Sequence, residues 1–152
     1  MLRDEINTAL KGAMKARDER RVSTLRLINA ALQNADIEAQ GRAKPVLSDE
    51  EILALLQKLI KQRQEAVELY DKAGRAELAA REREEIEIIS AYLPKQMSEA
   101  EAKAAVAKAI KATGATSMKD MGKVMAAIKE RYAGKLDVSK ASAAVKKMLS
   151  GG

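Results

Sequence analysis

Apolar residues recur every three or four positions along nearly the whole chain, the spacing of one face of an α-helix. Leu2, Ile6, Ala9, Leu10 and Ala13 keep that spacing through a first predicted helix, which ends near residues 15–21. Leu25, Ile28, Leu32 and Ala35 mark a second. Residues 41–46 read as a loop, with Gly41 as the expected C-cap and Pro45 disfavouring helix at the residue before it. Ser48 then opens a third helix, with Glu51 three residues on as a capping box. Leu53, Leu56, Ile60, Val67 and Tyr70 line its face, and Gly74 breaks it. Leu78, Ile86 and Ile89 carry a fourth helix through a stretch rich in Glu and Arg. Alternation of period two, the signature of a strand, is scarce throughout.

The stretch AYLPKQMS holds the strongest boundary. Pro94 biases Leu93 away from helix, and Ser98 with Glu101 forms a second capping box. Three short helices are expected beyond it. The first runs from about Ser98 to Thr113 and is ended by Gly114. The second opens at Ser117, carries Met118, Met121, Val124, Met125 and Ile128, and stops near Gly134. The third opens at Asp137, a good N-cap, and presents Val138, Ala141, Val145, Met148 and Leu149. The expectation is an all-α protein: an N-terminal four-helix domain over residues 1–93, then a small three-helix bundle over residues 94–152.

Charge sharpens the boundary. Residues 1–93 carry 16 Lys+Arg against 17 Asp+Glu, a net −1, while residues 94–152 carry 12 against 5, a net +7. The whole excess of the chain lies in its last 59 residues, which points to an anionic partner. Composition narrows the chemistry. The chain has no Cys and no His, so a thiol nucleophile, a Ser-His-Asp triad and the commonest transition-metal ligands are all excluded. The N-terminus has no apolar core of a secretory signal, and no run approaches a membrane span. A cytoplasmic protein without membrane contact is the expectation.

Each candidate for chemistry has a plainer reading beside it. Gly122 and Lys123 suggest a phosphate loop, but Ser117 stands where that loop needs glycine, Val124 follows the lysine, and no strand precedes. Gly122 is expected instead to permit close helix packing. The acids of residues 82–88 alternate with Arg81 and Arg83, the pattern of a salt-bridged solvated face. Lys15, Arg17, Arg20, Arg21 and Arg26 could read phosphate or carboxylate, but the neutrality of this half favours pairing with Asp18, Glu19 and acids of the fourth helix. Met118, Met121, Met125 and Met148 read as core. No catalytic residue, metal site or cofactor site is expected. The remaining signal is the basic outer face of the last three helices: Lys119, Lys123, Lys129, Arg131, Lys135 and Lys140, with Lys146 and Lys147. Lys119 and Lys123, four apart, are expected to stack on one side of a helix. With no Phe or Trp, only Tyr132 could serve as a stacking platform there.

These residues also carry a resemblance. MGKVMAAIKERYAGKLDVSKASAAVKKML resembles the tail domain of GatB, the B subunit of the tRNA-dependent aspartyl/glutamyl amidotransferase, through Met121, Gly122, Val124, Met125, Ile128, Lys129, Gly134, Asp137, Val145 and Lys146. The stretches AMKARD, LRLINAAL and IISAYLPKQMS are similar to the free-standing YqeY-like family, so the resemblance spans nearly the whole chain. It implies an all-helical fold in two parts and a tail that touches the outer body of tRNA without doing chemistry. The family label is a glutamine-dependent carbon–nitrogen ligase, yet the kinase core and the amidase machinery of the large enzyme both lie outside the shared region. The expected function is a non-catalytic accessory protein that binds tRNA or a related RNA through its C-terminal part. The alternative is an adaptor docking an amidotransferase or an aminoacyl-tRNA synthetase.

Overall fold

The computed structural model describes residues 1–43 and 46–151. The helix-disfavouring role expected of Pro45 lies outside them. Among the described residues the chain is all-helical, with no strand. It separates into two compact units, Met1–Leu93 and Pro94–Gly152.

The first unit holds α1 (Leu2–Lys15), α2 (Glu19–Ala39), α3 (Asp49–Lys72) and α4 (Ala76–Ser90). Helix α1 ends where Arg17 takes a left-handed conformation (φ 57°), an uncommon one for a residue with a Cβ, and Asp18 then caps α2 by accepting from the Arg21 amide. Ser48 and Glu51 cap α3 reciprocally, and Gly74 (φ 70°) turns the chain into α4. Gly41 does not cap α2. The helix stops at Ala39 with Gln40 as a right-handed C-cap, so no left-handed residue was needed there.

Leu2, Ile6, Leu25, Ile28, Leu32, Ile52, Leu56 and Ile89 form the core of this unit, each from an inward stripe of its helix. Burying one such side chain contributes about 1.5–3 kcal/mol. Helix α4 lies against α3 and α2. Apart from Glu77, which meets the N-cap Arg75 at 3.8 Å, its Arg and Glu residues form no ion pair along their own helix among the described residues. They reach across: Arg83 to Asp71 on α3 at 2.6 Å, Glu85 to Arg63 on α3 at 3.0 Å, and Glu84 to Arg20 on α2 at 2.9 Å. The helices are close enough for long side chains to find opposite charge on a neighbour, which leaves the face salt-bridged but ties it to the tertiary fold.

Thr24 stands apart in this core. It is fully buried on α2, and its hydroxyl has no hydrogen-bond partner among the described residues. An unsatisfied buried hydroxyl costs about 1–3 kcal/mol. Thr24→Val keeps the shape and removes the polar atom. The expected result is a gain of about 1 kcal/mol in urea denaturation, opposite in sign to most core substitutions.

The second unit holds α5 (Glu99–Thr113), a single 3-10 turn (Met118–Asp120), α6 (Met121–Arg131) and α7 (Val138–Ser150). Ser98 and Glu101 cap α5 reciprocally, and Gly114 (φ 68°) ends it in the left-handed conformation. Val106, Ala109, Val124, Ile128, Leu136, Ala141 and Val145 are its buried core, with Met97, Met121, Met125 and Met148 packed around them. Met118 is not part of that core; it is exposed on the 3-10 turn. Gly122 is no packing glycine either. It faces outward, and a Cβ placed there would meet nothing within 4 Å.

Candidate nucleic-acid interface

The segment leading into α5 is tied to the loop between α6 and α7. Met97 donates its amide to the Lys135 carbonyl at 2.8 Å, and the Gln96 side chain donates to the Pro94 and Gly134 carbonyls at 2.8 and 2.6 Å. Gly134 is buried with φ 74°, and Lys135 donates its own amide to the Tyr132 carbonyl at 3.0 Å. Leu136 then enters the core. The backbone of Lys135 is thus held on both sides while its side chain stays exposed. A charge fixed to a rigid backbone loses less entropy on contact with a ligand than one on a loose loop.

The six candidate cations are all exposed, and they occupy four elements. Lys119 is on the 3-10 turn, Lys123 in the first turn of α6, Lys129 and Arg131 in its last turn, Lys135 in the loop and Lys140 in the first turn of α7. Lys119 and Lys123 do not share one α-helical stripe, because α6 begins at Met121 rather than at Ser117. Asp120 explains the late start. Its carboxylate accepts the Thr116 amide at 3.0 Å, which holds the chain in a tight turn before the helix proper. Along α6, Val124 and Ile128 point inward, and Lys123 and Lys129 stand about 120° apart on the outer side. Glu130 follows Lys123 by seven residues and so shares its stripe.

Their electrostatic setting separates these cations. Lys129 and Arg131 close α6, where positive charge is favourable to the helix dipole, so folding alone accounts for them. Lys123 and Lys140 sit at helix N-termini, where a cation costs about 0.3–1 kcal/mol; the attraction of Asp120 offsets part of that for Lys123. Asp137 partly offsets the second case by accepting from the Ser139 and Lys140 amides. Among the described residues the ion pairs all lie in the first unit, and none of the cations of the second unit is paired. Lys95, Lys103, Lys108 and Lys111 are equally exposed and unpaired. They belong to the same charge excess as the six candidates, and only the density of lysine along and just before α5 marks them in the sequence.

Two carboxylates of this unit are held below their usual range. The Ser98 amide, then its hydroxyl, lowers Glu101 below its ordinary 4.5. The Thr116 amide foremost, with Ser117 and Lys123 behind it, lowers Asp120 below 3.8. Because the folded state prefers both groups ionised, their contribution is present above those ordinary values and is lost as pH falls through the lowered ones. Acidification below about pH 4.5 is therefore expected to loosen the start of α5 and the 3-10 turn. Amide exchange measured against pH checks this, and Glu101→Gln should flatten the response at the start of α5 alone.

Among the described residues no helix is long and apolar enough to cross a membrane. The chain is 40% identical over 84 residues to a Lachancea thermotolerans protein named Altered inheritance of mitochondria protein 41, mitochondrial; the match covers 55% of this chain and 43% of that protein. A protein of the same name from Pyrenophora tritici-repentis is 30% identical over 83 residues, covering 55% of this chain and 44% of its own. An uncharacterized protein of Schizosaccharomyces pombe is 33% identical over 93 residues, covering 61% of this chain and 72% of its own. The chain thus spans less than half the length of the mitochondrial relatives it matches. The family described as Yqey-like protein matches residues 3–149, and the chain belongs to that family.

Proposed function

We propose that this chain is a non-catalytic accessory protein whose second unit binds tRNA or a related RNA through phosphate contacts. One observation carries the reading: 12 cations against 5 acids in the second unit, with none of those cations ion-paired among the described residues. A fold that needs charge only for solubility tends to intersperse both signs, as the first unit does. Lys123, Lys129, Arg131 and Lys135 are the proposed phosphate contacts, with Lys119 and Lys140 beside them. The spread over several elements suits a backbone reader rather than a base reader. In this reading the two units are separate domains with separate tasks. Titrating labelled tRNA by anisotropy, with those four charges reversed and at two salt concentrations, tests it; unchanged affinity sinks the assignment.

A second reading is a protein adaptor, and it too has an observation behind it. Met14, Leu27, Ile37 and Leu69, all in the first unit, are large apolar side chains between 48% and 68% exposed. Such positions suit docking of an amidotransferase or an aminoacyl-tRNA synthetase. Capture of such a partner that survives ribonuclease and high salt would favour this reading over RNA. Glutamine-dependent ligase activity of the chain alone would show as glutamate released from glutamine. A cytoplasmic location is our reading for this chain; the mitochondrial name belongs to its relatives, and tRNA is present in both compartments.

A further inference from the structure

Between α2 and α4, within the first unit, lies a surface pocket of about 480 Å³. Arg20, Ser23, Arg26, Leu27, Arg81 and Glu85 line it. Three guanidinium groups around one pocket repel one another unless something anionic stands between them. The carboxylate in the lining is already committed: Glu85 meets Arg63 at 3.0 Å in a pair only 13% and 14% exposed. Arg20 Nε comes within 2.9 Å of Glu84 Oε2, but its N–H does not point at that oxygen. That nitrogen is shielded from water and has no hydrogen-bond acceptor among the described residues. Arg26 and Arg81 are exposed and join no ion pair among the described residues. Glu82, on α4 near Arg63, Arg81 and Glu85, tempers the excess without being part of the lining.

Arg20 belongs to the salt-bridged face through Glu84, yet its shielded Nε–H is left without an acceptor among the described residues, and the guanidiniums of Arg26 and Arg81 serve neither that face nor the core. Each guanidinium offers five N–H donors in a planar fork that matches the oxygens of a phosphate. The geometry points to a phosphate-binding site between α2 and α4, with Arg20, Arg26 and Arg81 donating to the phosphate oxygens. The Ser23 hydroxyl already donates to the Arg20 carbonyl at 3.1 Å, so the guanidinium groups are left to supply the donors. Leu27, 48% exposed at the edge, supplies an apolar wall for the organic part of a phosphorylated ligand. This site is on the other unit from the proposed RNA interface and does not depend on it.

The test uses the full chain and follows the arginine Nε–Hε resonances by NMR. Inorganic phosphate is titrated at constant ionic strength held with sodium chloride. Saturable shifts at Arg20 and Arg81 are expected, and R26Q/R81Q should weaken the apparent Kd by about tenfold or more. Both replaced side chains are exposed; should the pair disturb the amide spectrum, R26Q alone must still weaken binding. Adenosine 5′-monophosphate and a dinucleoside monophosphate, compared in the same way, separate the sources. Tighter binding of the monoester identifies a free phosphorylated small molecule, and equal binding identifies a nucleic-acid backbone phosphate. Shifts that never saturate, or the same Kd in wild type and variants, overturn the site. Neither result bears on tRNA affinity lost through the lysines of the second unit, so the two assignments fail separately.

Discussion

Reversing charge at Lys123, Lys129, Arg131 and Lys135 together is expected to abolish most tRNA affinity and its salt dependence. Each phosphate contact adds about −0.9 to the slope of log K against log salt on duplex nucleic acid, so four contacts give a slope near −3.6. Raising salt from about 50 to 200 mM should then weaken the wild-type chain on the order of a hundredfold. The reversed variant should bind weakly at both salts with a much flatter slope. Two paired variants make the result hard to attribute to misfolding. K123E/K140E removes cations from the N-termini of α6 and α7 and places acids where the helix dipole favours them. It is expected to melt close to wild type, the dipole gain at both helix starts offsetting the lost attraction between Lys123 and Asp120, while losing affinity. K129E/R131E removes favourable charge from the last turn of α6, so it should lose some stability as well. If K123E/K140E binds as tightly as wild type, the phosphate reading fails at the positions that folding explains least.

The reason those two lysines stand out was only partly legible in the sequence. Charge excess and outward spacing were visible, but helix ends were needed to sort the cations, and one of those ends was misplaced. Ser117 followed by Met118, Met121, Val124 and Met125 keeps helical spacing, and apolar periodicity alone places the start of the helix there. The carboxylate of Asp120 instead closes onto the Thr116 amide and holds a 3-10 turn. That competition of a short acidic side chain with helix is a local hydrogen bond that apolar periodicity does not register. The caps that do register were reciprocal ones, Ser48 with Glu51 and Ser98 with Glu101, because both partners are fixed by spacing alone. Glycines were harder. Gly74, Gly114 and Gly134 take left-handed angles at helix ends, whereas Gly41 and Gly122 do nothing of the kind. The arginine pocket between α2 and α4 was beyond reach for another reason. Arg20 and Arg81 are 61 positions apart, and only the packing of α4 on α2 brings them together.

Ile128→Ala is expected to unfold the second unit while leaving its charge unchanged, which makes it the counterpart of the charge reversals. Ile128 is 1% exposed and sits among Val106, Val124, Leu136 and Val145 in a core of few large side chains. Truncating a buried isoleucine to alanine costs about 2–5 kcal/mol, part from lost burial and part from the cavity left behind. A unit of this size has a total stability of about 3–9 kcal/mol at typical values per residue. The substitution therefore removes a large share of it, and alanines at positions 105, 109 and 141 offer no bulk to fill the space. Hydrogen exchange resolved by residue should show protection collapsing along α5, α6 and α7 together, because each of these helices contacts the other two. Ala126→Ser, exposed on the same helix, is the control and should change protection little. The consequence for RNA separates two kinds of electrostatic binding. If the phosphate contacts need the folded spacing of Lys123, Lys135 and Lys140, tRNA affinity falls with the fold at constant net charge. If affinity survives unfolding of the unit, the +7 excess acts as a flexible polycation, and the assignment to positions on α6, α7 and their loop is wrong.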